Sequence, residues 1–239
     1  NGVKMVNVLI VDDNLHYAMS LMNFINKKNT NIRVSHISAD GNDAINIINN
    51  DNNINVILLD LELPKLNGNI VLEKIKNKNR YYKSIIVISG NFDLIRKIKD
   101  TNMIFSIISK TIDNNTLINK INELIECREK DIKKQKIIDE LLFLGYDFSY
   151  KGTRYLVDVI EYIYMNQDKN IDVLERCVYP EIAKGYGTSV HNIKCNINRA
   201  TNEMYCEADF SKIEKYLKME KDVKPKLKTI INIIINKIC

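Results

Sequence analysis

Four apolar runs in the first half of this 239-residue chain end abruptly in residues able to do chemistry. Val6–Val11 runs into Asp12-Asp13, Val56–Leu59 into Asp60, Ser84–Ile88 into Ser89-Gly90, and Met103–Ile108 into Ser109-Lys110. If the runs are parallel strands of an open α/β sheet, these residues line the crevice at the strands' carboxyl ends, where such sheets bind ligands. Clustered carboxylates repel one another and call for a cation. Hard oxygen ligands suit Mg²⁺, with Ca²⁺ or Mn²⁺ as alternatives. The set fits phosphoryl transfer to a carboxylate. Asp60 is the candidate nucleophile, and Asp12, Asp13 and Asp60 are the candidate metal ligands. Lys110 would pair with the phosphoryl oxygens, Ser89 would hydrogen-bond one of them, and Gly90 would leave room for the donor. Taken singly, an Asp after a strand is usually a turn former or a helix N-cap. The argument rests on five such residues at matching ends.

The intervening residues must supply the scaffold. Leu15–Asn26, Asp43–Ile48, Gly68–Ile75, Leu94–Ile98 and Ile112–Cys127 have helical spacing, and Ile32–Ile37 reads as a further strand. Five strands alternating with five helices predict a five-stranded parallel, doubly wound, flavodoxin-like sheet. The charged stretch 126–136 has no apolar period and reads as a linker or as the exposed end of the fifth helix. Beyond it strand signals stop. Segments 137–144, 153–165, 171–177, 179–186, 189–205, 211–219 and 226–238 are helix-like, separated by Gly145, Gly152, 166–170, Gly185/Gly187 and Pro225. The expected organisation is an α/β domain over 1–127, a linker over 128–136 and an all-α domain over 137–239.

Composition narrows the classes. A chain 45% hydrophobic, with 8 Gly and 3 Pro, is neither disordered nor a low-complexity scaffold. Five cysteines, none in C-x-x-C spacing, argue against a zinc site and for reduced thiols. The longest late apolar run, Ile230–Ile235, is far short of a bilayer span, and the Val6–Val11 run is too short for a signal peptide. A cytoplasmic protein without a membrane partner is expected. Residues 1–130 carry 17 basic against 14 acidic residues, and 131–239 carry 18 against 16. Charge alone therefore does not argue for nucleic-acid binding in either half.

LIVDDN (9–14), ILLDLELP (57–64) with Gly68, VISG (87–90) and ISK (108–110) resemble the receiver domain of two-component response regulators. The resemblance covers residues 6–127 and implies a histidine kinase or phosphotransferase as phosphodonor. It also implies a switch pairing Ser89 with an aromatic residue three before the lysine. Here that residue is Ile107, which offers no ring or hydroxyl, and Thr111 stands where most such receivers have Pro after the lysine. Weak coupling between phosphorylation and output is the expectation. A metabolic enzyme is disfavoured. Asp60-Leu61-Glu62 only loosely matches the Asp-x-Asp of aspartate-nucleophile phosphatases, and no Gly-rich nucleotide loop is present. The expected chemistry is phosphorylation from a donor and autodephosphorylation at Asp60.

Residues 178–205, VYPEIAKGYGTSVHNIKCNINRATNEMY, have the layout of a helix-turn-helix. Ala183 allows close helix approach, Gly187 suits the sharp turn, Ser189 can N-cap the second helix, and Ile193, Ile197, Ala200 and Met204 form its core stripe. An ordinary αα-hairpin shares that pattern. KGTRYL (151–156) and VYPEIAKGYGTS (178–189), with Ala200 and Tyr205, resemble the effector domain of the master transcription factor of sporulation initiation in spore-forming Firmicutes. That resemblance implies an all-α effector binding double-stranded DNA as a homodimer, contact with the RNA polymerase sigma subunit, and control of sporulation or related developmental genes. Candidate DNA-facing residues are Ser189, His191, Asn192, Lys194, Cys195, Asn198 and Arg199. The family's recognition helix carries arginines where Asn192, Cys195 and Asn198 stand here. Asn suits adenine, whereas Arg suits guanine. The expected output is an altered, A-rich target, or a degenerate effector acting by protein contact. The tail after Ser211 is Lys-rich, a pattern that commonly marks a solvated face.

Overall fold

The structure is a computed structural model describing residues 5–28, 31–76, 83–99, 101–166, 174–207, 216 and 226–238. The chain divides into two compact units, Asn1–Arg128 and Glu129–Cys239.

In the first unit, β1 (Val6–Val11), β2 (Ile32–Ser38), β3 (Ile54–Asp60), β4 (Ile85–Ile88) and β5 (Ile104–Ile108) alternate with α1 (Leu15–Lys28), α2 (Gly41–Asn50), α3 (Gly68–Ile75), α4 (Phe92–Arg96) and the first half of α5 (Asn114–Phe143), whose residues from Glu129 on belong to the second unit. All described strand pairs are parallel, in the order β2-β1-β3-β4-β5. This is the doubly wound arrangement expected. Strand residues point alternately to the two faces, so continuous apolar runs fill two cores. Leu9, Val11, Ile57, Leu59 and Val87 pack with residues of α2 and α3. Val8, Ile10, Val56, Leu58 and Ile86 pack with Ala18 and Leu21 of α1 and Leu117 and Ile121 of α5.

Two helix starts precede the apolar spacing because a polar cap decides them. Asp40 accepts from the amides of Asn42 and Asp43, so α2 begins at Gly41. Asn91 accepts from Asp93 and Leu94, so α4 begins at Phe92, two residues before the expected Leu94. The stretch expected as a linker or helix end is helical throughout, inside α5. Its Lys, Arg, Glu and Gln residues are good helix formers, and neither Gly nor Pro interrupts them. The helix also absorbs the expected segment 137–144. It stops at Gly145 (φ 90°), where the Tyr146 amide bonds the Leu141 carbonyl and the Gly145 amide the Leu142 carbonyl.

The second unit contains α6 (Lys151–Met165), a π-helical turn (Leu174–Val178), α7 (Tyr179–Gly185), α8 (Val190–Glu207) and α9 (Leu227–Ile238). The expected helix 171–177 is this π-helical turn where described. The expected 211–219 helix lies outside the described residues apart from Tyr216, which is helical. Leu156 and Ile160 of α6, Ile193 and Ile197 of α8, and Ile230 and Ile234 of α9 are fully buried in one core with Ile137 and Leu141. Gly152 sets the α6–α8 crossing. A Cβ there would lie 1.9 Å from the Asn196 carbonyl oxygen, so only glycine fits this approach. Tyr146 and Thr201 hydrogen-bond across the buried core at 3.2 Å.

Candidate functional site

Each residue of the acidic pocket is delivered by a strand end. The Asp12 amide donates to the Ser38 carbonyl at 3.0 Å, extending the β1–β2 ladder by one step. Asp60 is the last residue of β3 and lies opposite Ile88, so Ser89 follows directly beside it. The Ser89 amide donates to the Ile108 carbonyl at 3.0 Å, which aligns the ends of β4 and β5 and places Lys110 two residues on. Oxygens of Asp12, Asp13 and Asp60 all come within 4.8 Å of one another. Asp12 and Asp60 are buried, at 3% and 1% exposure, and Asp13 faces solvent. Asp12 Oδ1 accepts from the Asn14 amide at 2.9 Å, and Asp60 Oδ1 from the Glu62 amide at 3.1 Å.

Lys110 Nζ donates to Asp60 Oδ2 at 2.6 Å and lies 3.3 Å from Asp12 Oδ2. Burial pulls the lysine's pKa down, but the bond and charge of Asp60, then of Asp12, carry it above its ordinary value. Burial pushes the Asp12 carboxyl up. Lys110 opposes that push, and the Asp60 charge adds to it. Two buried carboxylates and a third beside them make a donor set of hard oxygens that fits a divalent cation. The Ser89 hydroxyl accepts from the Asn91 amide at 3.1 Å, which leaves its own proton available. A side chain at Gly90 would meet nothing within 4 Å, so the space beside the pocket is open whichever residue stands there.

Several further residues support the pocket. A Cβ on Gly68 would lie 2.5 Å from the Asp60 carbonyl, and one on Gly41 2.3 Å from that of Leu66, so both glycines let the loop after β3 close tightly. Lys65 is left-handed (φ 63°) and pairs with Asp40 at 3.0 Å. Asn91 Nδ2 bonds Glu62 Oε1 at 3.1 Å, joining the loops after β3 and β4. Tyr17 lies near enough for burial, then the Asp12 charge, to push its phenol up. Ile107 is 40% exposed on β5, and its neighbour but one, Phe105, packs into the sheet core. The described residues contain no cis peptide bond.

The second candidate surface is the outward side of α8. Gly187 takes φ 59° in the turn, and the Thr188 amide bonds the Ala183 carbonyl at 2.9 Å. Ser189 caps α8, accepting from the Asn192 amide at 3.1 Å. Ile193, Ile197, Ala200 and Met204 are all buried. Ser189, His191, Asn192, Lys194, Cys195, Asn198 and Arg199 are all exposed. They are not idle. Asn192 Nδ2 donates to Thr188 Oγ1 at 2.7 Å, and its own oxygens accept from Asn196. Lys194 pairs with Glu175 at 2.6 Å, Cys195 Sγ lies 3.4 Å from His191 Nε2, and the Arg199 guanidinium sits 5.8 Å from the Tyr150 ring centroid. Cys127, Cys177, Cys195 and Cys206 are free thiols. Among the described residues no helix is long and apolar enough to cross a membrane.

Known proteins resemble both units. Residues 8–122 match the response regulator receiver domain family, and residues 137–238 match the family described as sporulation initiation factor Spo0A C terminal. Solved structures similar to the first unit include a CheY-like response regulator receiver domain protein from Methanospirillum hungatei JF-1. It is 23% identical, covering 54% of this chain and 99% of that one, with a TM-score of 0.47. A response regulator receiver domain protein from Clostridium thermocellum is 22% identical, covering 52% and 98%, with a TM-score of 0.45. The receiver domain of the Francisella response regulator 1452 is 23% identical, covering 52% and 98%, also at 0.45. With a receiver domain followed by a Spo0A C-terminal, DNA-binding domain, the chain belongs to the two-component response regulators.

Proposed function

We propose that Asp60 accepts a phosphoryl group from a histidine kinase or phosphotransferase, and that this event controls binding of the helical domain to DNA. The observation that carries the reading is the meeting of Asp12, Asp13 and Asp60 with Lys110 bonded to Asp60 at 2.6 Å. A carboxylate oxygen of Asp60 forms the bond to phosphorus as the donor's bond to phosphorus breaks, and the donor's leaving group takes up a proton. Lys110 holds the phosphoryl oxygens, and the Ser89 hydroxyl donates to one of them. Mg²⁺ or a similar divalent cation on Asp12, Asp13 and Asp60 supplies charge neutralisation at those oxygens. On the output side, α8 lies in the major groove, with Asn192 and Asn198 suited to adenine and Lys194 and Arg199 to phosphate. The targets are genes of sporulation or a related developmental programme, bound by a cytoplasmic homodimer that contacts the sigma subunit of RNA polymerase.

Incubation with a small phosphodonor and Mg²⁺ is the test. One hydroxylamine-sensitive phosphoryl group is expected on the parent and none on Asp60→Asn. Labelling that persists in the variant overturns the assignment.

A second reading is contact with another protein without specific DNA recognition. It is favoured by the internal bonds of Asn192 and Lys194, which occupy the groups that would read bases or phosphates. Selection from a pool of random duplexes separates the two, since only the first reading yields an enriched sequence.

A further inference from the structure

On one flank of α8 lies an open groove of about 600 Å³, apart from the acidic pocket, that extends beyond the helix-turn-helix. Three separate segments line it: the π-helical turn with Glu175 and Arg176, one flank of α8 with Lys194 and Asn198, and the start of α9 with Lys226 and Lys228. Arg176, Lys194, Lys226 and Lys228 line it beside one carboxylate, Glu175. Arg176, Lys194, Lys226 and Lys228 are all exposed. Arg176 and Lys226, from segments far apart in sequence, bring like charge to one groove, which favours an anion there.

The local backbone supports a binding role. The π-helical turn spaces its residues differently from an α-helix, and such turns recur at functional sites. Here Leu174 and Val178 are buried while Glu175, Arg176 and Cys177 between them are all exposed. Glu175 reaches Lys194 at 2.6 Å. Both side chains are solvent-exposed, and an exposed pair of this kind is weakly held. A phosphate can therefore displace it.

We propose that this groove seats the sugar-phosphate strand of DNA next to the bases facing α8, and that Glu175 competes with that strand for Lys194. The proposal rests on the DNA-binding reading above and gives it an extent: the contact surface runs from α8 across to Arg176 and to the first residues of α9. It also assigns a use to two lysines, Lys226 and Lys228, of a run whose pattern by itself suggests a solvated face. Contacts of this type fix position on the duplex and carry no sequence information.

The test uses the full chain, an enriched duplex and a scrambled one, each at two salt concentrations, with thermal melts confirming folding. Arg176→Gln, Lys226→Gln and Lys228→Gln should each weaken binding to both duplexes by the same factor, about threefold to tenfold. Each should also flatten the slope of log affinity against log salt by about 0.9. Glu175→Gln should tighten both complexes. Asp139→Asn, an equal charge change on exposed α5 surface, should not. If the parent binds and the three cation variants bind like it, the groove assignment falls while the DNA reading stands. Equal tightening by Asp139→Asn overturns the competitor role of Glu175. If the parent binds neither duplex at low salt, both the reading and the groove fall.

Discussion

The pocket at the strand ends and the outward face of α8 are both built from polar residues in short motifs, yet they are held in different ways. In the pocket, Asp12, Asp60 and Ser89 are buried, their backbones are locked into the sheet ladder, and Lys110 is drawn to the two carboxylates. On α8 the backbone is fixed by a core stripe, but the side chains are exposed and bond one another. Burial leaves the pocket one low-energy arrangement. Exposure leaves the helix face free to exchange its internal partners for external ones, because each such bond in water is worth little. The first region is held in one arrangement, and the second can exchange its partners at little cost.

The largest effect should come from stripping the pocket of its cation. Chelation, or Asp13→Asn, should slow phosphorylation of Asp60 at least about a hundredfold, since a bound metal supplies several kcal/mol at a transferring phosphoryl group. Asn192→Ala on α8 should leave that rate unchanged. A pocket that works equally well with chelator would erase the contrast between the two regions. Next comes the anchoring of α8. Gly152→Ala pushes a methyl group into the Asn196 backbone and should lower the stability of the helical domain by about 3 kcal/mol. Calorimetry should show that transition moving down by about 10–20 °C while phosphorylation of Asp60 proceeds as before. Full retention of stability would mean that α6 and α8 adjust freely and that the crossing does not position the reading helix. The smallest effect concerns communication. With Ile107 exposed on β5 and lacking a ring or hydroxyl, phosphorylation should change DNA affinity by less than about tenfold, or 1.4 kcal/mol. A hundredfold change in a titration of phosphorylated against unphosphorylated protein would show that another residue carries the signal.

The two regions also differ in how far the sequence reveals them. Asp12, Asp60, Ser89 and Lys110 could be placed together from sequence because a strand's end fixes where the next residue goes. The alternation of apolar runs with helical spacing then makes the sheet parallel. The core stripe of α8 and the Ser189 cap were legible for the same reason, being set by a period and a terminus. What stayed hidden depends on contacts between distant segments. Nothing in KGTRYL announces that Gly152 touches Asn196, and nothing near Leu174 announces a π-helical turn that carries Glu175 to Lys194. The charged stretch 126–136 misled because an absent apolar stripe removes a reason to pack, not a reason to stay helical.

The ion pair between Lys110 and Asp60 has a consequence in simple charge balance. With Asp12, Asp13 and Asp60 ionised, three negative charges face one positive, which leaves the pocket two units short of neutrality. A dication closes that deficit, a monovalent ion leaves half of it, and a trivalent ion overshoots. Lys110 thus leaves the three carboxylates with a net charge that a divalent cation would match. Exchanging Lys110 for a neutral residue would shift that match toward higher charge.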